Sequence, residues 1–205
     1  MDPRLHFPAT ERNTPYIGDV LQSFLPSNGS VLEIASGSGE HSVVFQDQFP
    51  NIQWQTSDPD PIHRKSIEAW IKYQGLANIM HLPLDIDVKK RPWPLSTRLI
   101  STLNFIVCIN MLHVCPWSCS EALIKESADL LMNGKLLMLY GPFKKNGKHT
   151  SRSNALFDKS LKAQNNTWGV RDLDDVTDLA MKSGFNKKDV IQMPANNFSL
   201  ILHRA

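Results

Sequence analysis

Short apolar runs alternate with segments of helical period along most of the chain. Runs of period two or of continuous apolar residues predict seven strands, at Val31–Ala35, Ile52–Thr56, Ile79–Leu84, Phe105–Asn110, Lys135–Tyr140, Val190–Met193 and Phe198–His203. Apolar residues spaced three and four apart predict helices over Ile17–Leu25, Glu40–Phe49, Pro61–Tyr73, Ser118–Met132, Asn154–Ala163 and Leu173–Lys182. This order is typical of a parallel sheet that is covered by helices on both faces.

The end of the chain breaks the alternation. Only Pro194–Asn197 separates the last two predicted strands, and a connection this short favours an antiparallel hairpin. We therefore predict the α/β class, with a doubly wound, mostly parallel sheet that a C-terminal antiparallel hairpin closes. No linker or internal repeat divides the sequence, so we expect one domain over residues 1–205, with an N-terminal cap segment and helix over 1–25.

Composition narrows the possible partners. The chain has 205 residues and is 41% hydrophobic, so it can bury the core of one domain, and no apolar run approaches the length of a membrane span. Three cysteines and no secretory leader lead us to expect free thiols and a cytoplasmic protein. A formal net charge of +2 without a basic face argues against nucleic acid and for a small-molecule partner.

The stretch SVLEIASGSGEH predicts a strand, a glycine turn and the start of a helix. Gly37 and Gly39 would let a ligand come close to the backbone. A dinucleotide fingerprint would place a third small residue, glycine or alanine, at position 42, where Ser42 stands, so NAD(P) is disfavoured. An adenosyl ligand without a pyrophosphate would need a carboxylate after the next strand, and Asp58 stands there.

Further polar residues follow two other predicted strands. Asp85 ends the apolar run LPLD and could accept from an adenine amine, and Asn110 ends the fourth strand. Ligands of open α/β sheets bind at such strand ends. Asp58 and Asp85 could equally be helix caps or turn residues, because aspartate is common in both positions. Glu33 lies inside an apolar strand, and we expect it to reach a backbone amide, a water or a ligand ammonium.

The sequence resembles a known family through six blocks. These are LEIASGSGEH, TSDPD, LPLDID, INMLHVCPW, LLMLYGPF and GKHTSRSNALFDKSL…WGVRDL. They look like class I S-adenosylmethionine-dependent methyltransferases, and specifically like the branch called methyltransferase-like protein 26. The resemblance implies a Rossmann-like seven-stranded fold with S-adenosylmethionine as the cofactor.

The resemblance also implies roles for single residues. Glu33, Gly37 and Gly39 would surround the methionine part of the cofactor, and Asp58 and Asp85 would bind the ribose and the adenine. Asn110, with the adjacent Met111, would lie near the sulfonium. Ala35 belongs to the same turn, but many class I enzymes have glycine at that position.

Methyl transfer needs a nucleophile held in line with the methyl carbon, and a base only if that nucleophile carries a proton. The candidates for acid–base chemistry are His113, His149 and Tyr140, with Asp158 as a further titratable group. His113 beside apolar residues is equally compatible with a packed core histidine. The pattern His113-x-Cys115-x-x-x-Cys119 lacks the further ligands that a structural zinc site needs, so we expect no metal.

The stretch Gly141–Asn154 is rich in cations and predicts a long loop after the fifth strand. Long loops in compact domains are functional or mobile, and we interpret residues 141–172 as a substrate lid. The hypothesis gives substrate binding to seven residues, Glu11, Arg12, Asn13, Ser153, Asn154, Asp158 and Arg171. We expect methyl transfer to a small molecule, acidic by hypothesis. The alternatives are a catalytically silent S-adenosylmethionine-binding protein and an NAD(P)-dependent oxidoreductase.

Overall fold

The computed structural model describes residues 2–205 and contains two compact units, which meet in sequence at Cys108 and Ile109. The first unit contains the elements α1 (Pro8–Phe24), β1 (Gly29–Ile34), α2 (Glu40–Gln48), β2 (Ile52–Thr56), α3 (Pro61–Tyr73), α4 (Thr97–Thr102) and β3 (Leu103–Ile109). The second contains α5 (Trp117–Leu130), β4 (Leu136–Lys145), β5 (Lys148–His149), α6 (Arg152–Gln164), β6 (Arg171–Asp172), α7 (Leu173–Lys182), β7 (Phe185–Met193) and β8 (Asn197–Arg204).

In the first unit, β1 lies between two parallel neighbours. Leu32 of β1 pairs with Gln55 of β2 on one side and with Ile106 of β3 on the other. Both faces of β1 are covered, and Val31 and Leu32 are fully buried although they point to opposite faces. The continuous apolar run at the start of SVLEIASGSGEH is thus a central strand.

The predicted strand Ile79–Leu84 is wrong. This segment runs beside β2, but its one ladder contact is a parallel bridge between Ser57 and Leu84. Side chains of β2 replace the ladder: Gln53 Nε2 donates to Ile79 O at 2.9 Å, and Gln55 Nε2 donates to the carbonyl of residue 82, also at 2.9 Å. A proline at position 83 lacks the N–H that a regular strand would need.

In the second unit the strands are mostly antiparallel. Leu139 of β4 pairs with Leu200 of β8, and β8 turns back on β7, where Leu200 pairs with Val190. The predicted C-terminal hairpin is confirmed, and with the parallel strands of the first unit it confirms the mixed α/β class. No helix among residues 2–205 is long and apolar enough to cross a membrane.

The predicted loop Gly141–Asn154 is also wrong in its local structure. Strand β4 continues to Lys145, and Asn146 and Gly147, both at positive φ, turn the chain into β5. An Asn-Gly pair with two positive φ angles is the favoured two-residue hairpin turn, so the signal was present in the sequence. Helix α6 begins soon afterwards, at Arg152. The lid function assigned to residues 141–172 and the single domain over 1–205 stay predictions.

Candidate functional site

The glycine turn of the first unit connects β1 to α2. Ala35 has φ 56° and so takes the left-handed conformation at the position where glycine is usual in the resembled family. Gly39 has φ 90°, and a Cβ there would lie 2.8 Å from the Cα of Ile67 in α3. The turn therefore needs glycine at position 39 for its backbone angle and for packing, whereas alanine adopts the strained angle at position 35 at a cost of about 1 kcal/mol.

Three backbone amides of this turn are already hydrogen-bonded within the protein. The amide of Ser36 donates to Ser57 O (2.8 Å), and that of Gly39 donates to Ser36 O (3.1 Å). The amide of Gly37 donates to Oδ2 of Asp58 at 3.0 Å. A carboxylate thus takes the place that a phosphate occupies on a free glycine-rich loop.

Asp58 lies directly after β2 and is only 3% exposed. Besides the Gly37 amide, its carboxylate accepts from the amide of Asp60 (2.9 Å) and faces Nδ1 of His63 at 3.1 Å. It is not the cap of α3, because Asp60 holds that position and accepts from the amide of Ile62. Of the two common alternatives, Asp58 is a turn residue, and the turn joins it to the glycine loop.

Asp85 is exposed and lies near Asp58 through a shared arginine. Its Oδ2 is 3.1 Å from a guanidinium nitrogen of Arg64, and another nitrogen of that group donates to Asp58 O at 2.8 Å. The sequence prediction missed both His63 and Arg64. The signal available for them was only their position on the first turn of the helix that follows Asp58.

Glu33 is buried in β1, and its Oε2 bonds to side chains of the protein. It accepts from Ser42 Oγ (2.5 Å) and from the indole N–H of Trp54 (2.8 Å). Burial raises the pKa of Glu33 despite these hydrogen bonds. The sequence analysis did not foresee these two side-chain donors, and the role of Glu33 at the methionine part of the cofactor stays a prediction.

Glu11, Arg12 and Asn13 lie in the first half of α1. Glu11 and Arg12 are exposed, whereas Asn13 is buried. The next residue fixes this helix to α2, because Thr14 Oγ1 lies 2.9 Å from Nδ1 of His41. The structure thus places the three predicted substrate residues on one firmly docked helix.

In the second unit, Gly141 brings Asn110 and His113 together. The amide of Asn110 donates to Tyr140 O (2.9 Å), and Asn110 itself has φ 63°. A Cβ on Gly141 would lie 3.3 Å from Asn110 Oδ1 and 3.4 Å from His113 Nδ1. Both polar atoms therefore lie close to the backbone of Gly141, and the half-exposed Met111 follows Asn110 in the chain.

His113 is a buried, neutral imidazole. Burial lowers its pKa to about 4, and the charge of Arg171 adds to that shift. The partly exposed ring of Phe157 meets it edge-on, with the ring centroids 5.3 Å apart. A neutral imidazole can accept a hydrogen bond at pH 7, but with this pKa it is a weak base.

The hydroxyl of Tyr140 is not a base at neutral pH. It accepts a hydrogen bond from Asn197 Nδ2 at 3.1 Å. Burial raises the pKa of Tyr140 to about 12, so the phenol stays protonated at neutral pH and still has its O–H to donate.

Asp158 lies at the centre of a cluster of cations. Its Oδ2 is 2.8 Å from the ammonium of Lys162, 3.6 Å from that of Lys144 and 3.2 Å from Nε2 of His149. Its Oδ1 accepts from the amide of Val170 at 2.7 Å. Burial would raise the pKa of Asp158, but the hydrogen bonds from Lys162 and Val170 together with the lysine charges lower it. Two of the predicted site residues, His149 and Asp158, therefore contact each other within this cluster.

The remaining predicted residues of this unit have structural partners. Arg171 donates to the carbonyls of Leu112 (3.0 Å) and Cys115 (2.5 Å), on either side of His113 in the chain. Asn154 is buried and donates to Thr150 Oγ1 and to a backbone carbonyl, and the hydroxyl of Ser153 pairs with its neighbour at position 151. Among residues 2–205, no group of three His, Cys, Asp or Glu side chains could hold a metal ion.

Residues 4–204 match the family described as "Protein of unknown function (DUF938)". That match covers nearly the whole chain. No function comes with the description of this family, so the activity has to be argued from the fold and the site.

Three solved structures illustrate the fold. The S-adenosylmethionine-dependent methyltransferase SibL, in its apo form, has a TM-score of 0.76 at 14% identity, over 96% of this chain and 55% of its own. An O-methyltransferase family 2 protein from Planctomyces limnophilus, in complex with apigenin, has a TM-score of 0.77 at 17% identity, over 96% and 58%. PigF with SAH has a TM-score of 0.76 at 15% identity, over 96% and 63%.

These likenesses show that the chain has the Rossmann-like methyltransferase fold, as the sequence analysis expected. The chain spans little more than half the length of the three solved structures. Membership of the methyltransferase-like protein 26 branch stays a prediction.

Proposed function

The chain belongs to the family described as "Protein of unknown function (DUF938)". From its fold and its candidate site we propose that it is an S-adenosylmethionine-dependent methyltransferase of small molecules. The observation that carries the proposal is Asp58, a buried carboxylate after β2 whose partners are two backbone amides and a histidine. Among the described residues, no lysine or arginine side chain forms an ion pair with it. Its charge is therefore available to two hydroxyl donors, which is what a ribose offers.

The glycine turn supports a nucleoside rather than a dinucleotide. A pyrophosphate needs free amides at the turn, but the amides of Ser36, Gly37 and Gly39 all have protein acceptors. The Asp58 carboxylate beside Gly37 would in addition repel a phosphate. S-adenosylmethionine carries no phosphate, so the turn suits it.

In this proposal the first unit binds the adenosyl group. Asp58 accepts from the ribose hydroxyls, and Asp85, which Arg64 orients, accepts from the adenine amine. Gly37, Gly39 and Ala35 supply backbone close to the ligand. Because Oε2 of Glu33 already has two protein donors, we assign Glu33 to support of the turn rather than to the methionine ammonium.

In the second unit we propose that the acceptor atom binds beside Asn110 and His113. Asn110 Oδ1 and Nδ1 of the neutral His113 ring both lie close to Gly141, and Phe157 supplies an apolar wall next to His113. When bound, the cofactor supplies an electrophilic methyl group that a nucleophile displaces in line. The residues of the chain orient that nucleophile and accept its hydrogen bond, and neither His113 nor Tyr140 has the pKa of a strong base at pH 7.

The charge of the substrate is less constrained than the sequence suggested. Lys144, one of the four cations in the predicted loop, and His149 both face Asp158. An anionic substrate would have to compete with that carboxylate, so the exposed Lys145, Lys148 and Arg152 are the other cations of this segment that it could meet. We keep an acidic group as a hypothesis and a small, partly apolar molecule as the proposal.

The proposal is tested by calorimetry with S-adenosylmethionine, SAH and NAD, followed by incubation of the protein and cofactor with a metabolite extract. We expect binding of the first two ligands and a product heavier by one methyl group in mass spectrometry. Binding without any methylated product would favour a catalytically silent S-adenosylmethionine-binding protein. Binding of NAD alone would favour an oxidoreductase and overturn the proposal.

A further inference from the structure

The segment of residues 2–7, which we call the N-terminal strap, has neither helical nor strand structure but docks firmly on α3. The amide of Leu5 donates to Ser66 Oγ at 2.8 Å, and the carbonyl of Leu5 accepts from the indole N–H of Trp70 at 3.0 Å. Both partners are buried residues of α3. The middle of the strap is thus held by its backbone, as a strand is held at the edge of a sheet.

Glu40, the first residue of α2, holds the C-terminal end of the strap. Its Oε2 accepts from the amide of Phe7 (3.0 Å), and its Oε1 lies 3.0 Å from Nδ1 of His6. The hydroxyl of Ser38 donates to the same carboxylate at 2.9 Å. Since Ser38 belongs to the glycine turn, Glu40 joins the strap to that turn.

The ring of Phe7 packs against two residues that hydrogen-bond to Asp58. A Cβ on Gly37 would lie only 3.2 Å from Cε2 of Phe7, so this glycine makes room for a ring of the protein itself. On its other side the Phe7 ring meets the ring of His63 edge-on, with centroids 5.9 Å apart. Gly37 and His63 are two of the three groups that hydrogen-bond to the carboxylate of Asp58.

We propose that Phe7 and Glu40 are positioning residues for cofactor binding. Glu40 holds the strap in place, and Phe7 packs against Gly37 and His63, the two donors that orient Asp58 towards the ribose. This inference rests on the proposed function, because it gives Asp58 a ribose to bind. It gives residues 2–7, the start of the N-terminal cap segment predicted over 1–25, a specific role at the cofactor site.

The test compares SAH with an analogue of SAH that lacks both ribose hydroxyls. Calorimetry gives the dissociation constants of the two ligands for the wild-type protein, for Phe7→Ala and for Glu40→Ala. We expect the wild-type protein to prefer SAH by at least about tenfold, because the analogue leaves a buried carboxylate without its hydroxyl donors. Both variants should lose most of that preference, since a misoriented Asp58 gains little from the ribose.

The controls separate positioning from folding. Tyr16→Ala removes an exposed aromatic ring from α1, outside the strap, and should keep the wild-type preference for SAH over the analogue. If Phe7→Ala unfolds, Ser66→Ala removes one strap contact and is the milder variant to measure. The double variant of Phe7 and Glu40 should lose no more preference than either single variant, because both act through the same strap.

The remaining outcomes distinguish a failure of this inference from a failure of the proposed function. If both variants weaken both ligands equally, or change nothing, the strap is only structural and the inference is overturned. If the wild-type protein binds both ligands equally, Asp58 does not recognise the ribose and the inference falls while cofactor binding stands. If SAH does not bind to the wild-type protein, the proposed function fails and the inference fails with it.

Discussion

The two units each bury a carboxylate among hydrogen-bond donors, and the two sites differ in one respect. Asp58 receives two backbone amides and a histidine, whereas Asp158 receives one amide, two lysines and a histidine. The charge of Asp158 is balanced by side chains of its own unit. The carboxylate of Asp58 has no ion pair with a lysine or arginine among the described residues, and the nearby Arg64 donates to the backbone carbonyl of Asp58 instead.

The difference indicates which carboxylate serves a ligand. A carboxylate that already faces two ammonium groups fixes the elements that carry those groups, here β4 and α6. A carboxylate that is held in place mainly by backbone amides keeps much of its acceptor strength and has a fixed direction. We therefore interpret Asp158 as structural and Asp58 as a ligand-binding group, although the sequence assigned ligands to both.

The largest expected effect follows from removing the charge of Asp158. Asp158→Asn leaves Lys144, Lys162 and His149 without their shared anion, and we expect a loss of about 3 kcal/mol in the free energy of unfolding. Urea denaturation measures this loss, with Asp178→Asn on the exposed side of α7 as the control. A loss no larger than that of the control would mean that Asp158 is not structural.

A smaller effect concerns the buried imidazole of the second unit. The folded pKa of His113 is about 4, below its ordinary value of 6.5, so the unfolded chain takes up a proton first as the pH falls. Relative to His113→Gln, the wild-type protein should lose about 2 kcal/mol of unfolding free energy between pH 7.5 and pH 5. Denaturation curves at several pH values measure this loss, and equal slopes for both proteins would show that His113 is not buried in its neutral form.

The smallest effect concerns Glu33 in the first unit. Burial raises its folded pKa above the ordinary 4.5, so its contribution to stability is present at low pH and is lost as the pH rises through the folded pKa. Glu33→Gln resembles the protonated acid and should differ from the wild-type protein by less than about 1 kcal/mol at pH 5. The variant should become the more stable protein as the pH rises to 8, and the reverse trend would show that the carboxylate form is the native one.

The features predicted correctly from the sequence depend on neighbours along the chain. The glycine turn after β1, the position of Asp58 just past β2 and the C-terminal hairpin each follow from a strand and the few residues next to it. The Asn-Gly turn at residues 146–147 was equally local and was missed because its cation-rich surroundings indicated a loop. Local pattern thus predicted the fold class, and the nucleoside-binding role of these residues stays a proposal.

The features that were missed depend on contacts between distant parts of the sequence. Leu5 and Ser66 lie 61 positions apart, and Asp158 meets Lys144 and His149 only because a hairpin and a helix pack together. The segment Ile79–Leu84 has the composition of a strand, but side chains of β2 donate hydrogen bonds to two of its carbonyls. Hydrophobic periodicity does not encode which side chain will satisfy a given polar group.

The central claim is that Asp58, and not Asp158, binds the cofactor. Calorimetric titration of SAH into the wild-type protein, Asp58→Asn and Asp158→Asn tests it most directly, at a temperature where all three are folded. We expect Asp158→Asn to bind SAH as the wild-type protein does and Asp58→Asn to bind at least about tenfold more weakly, because a neutral amide is a weaker acceptor for the ribose hydroxyls. Equal affinity of Asp58→Asn and the wild-type protein, or no binding of SAH to the wild-type protein, would contradict the account.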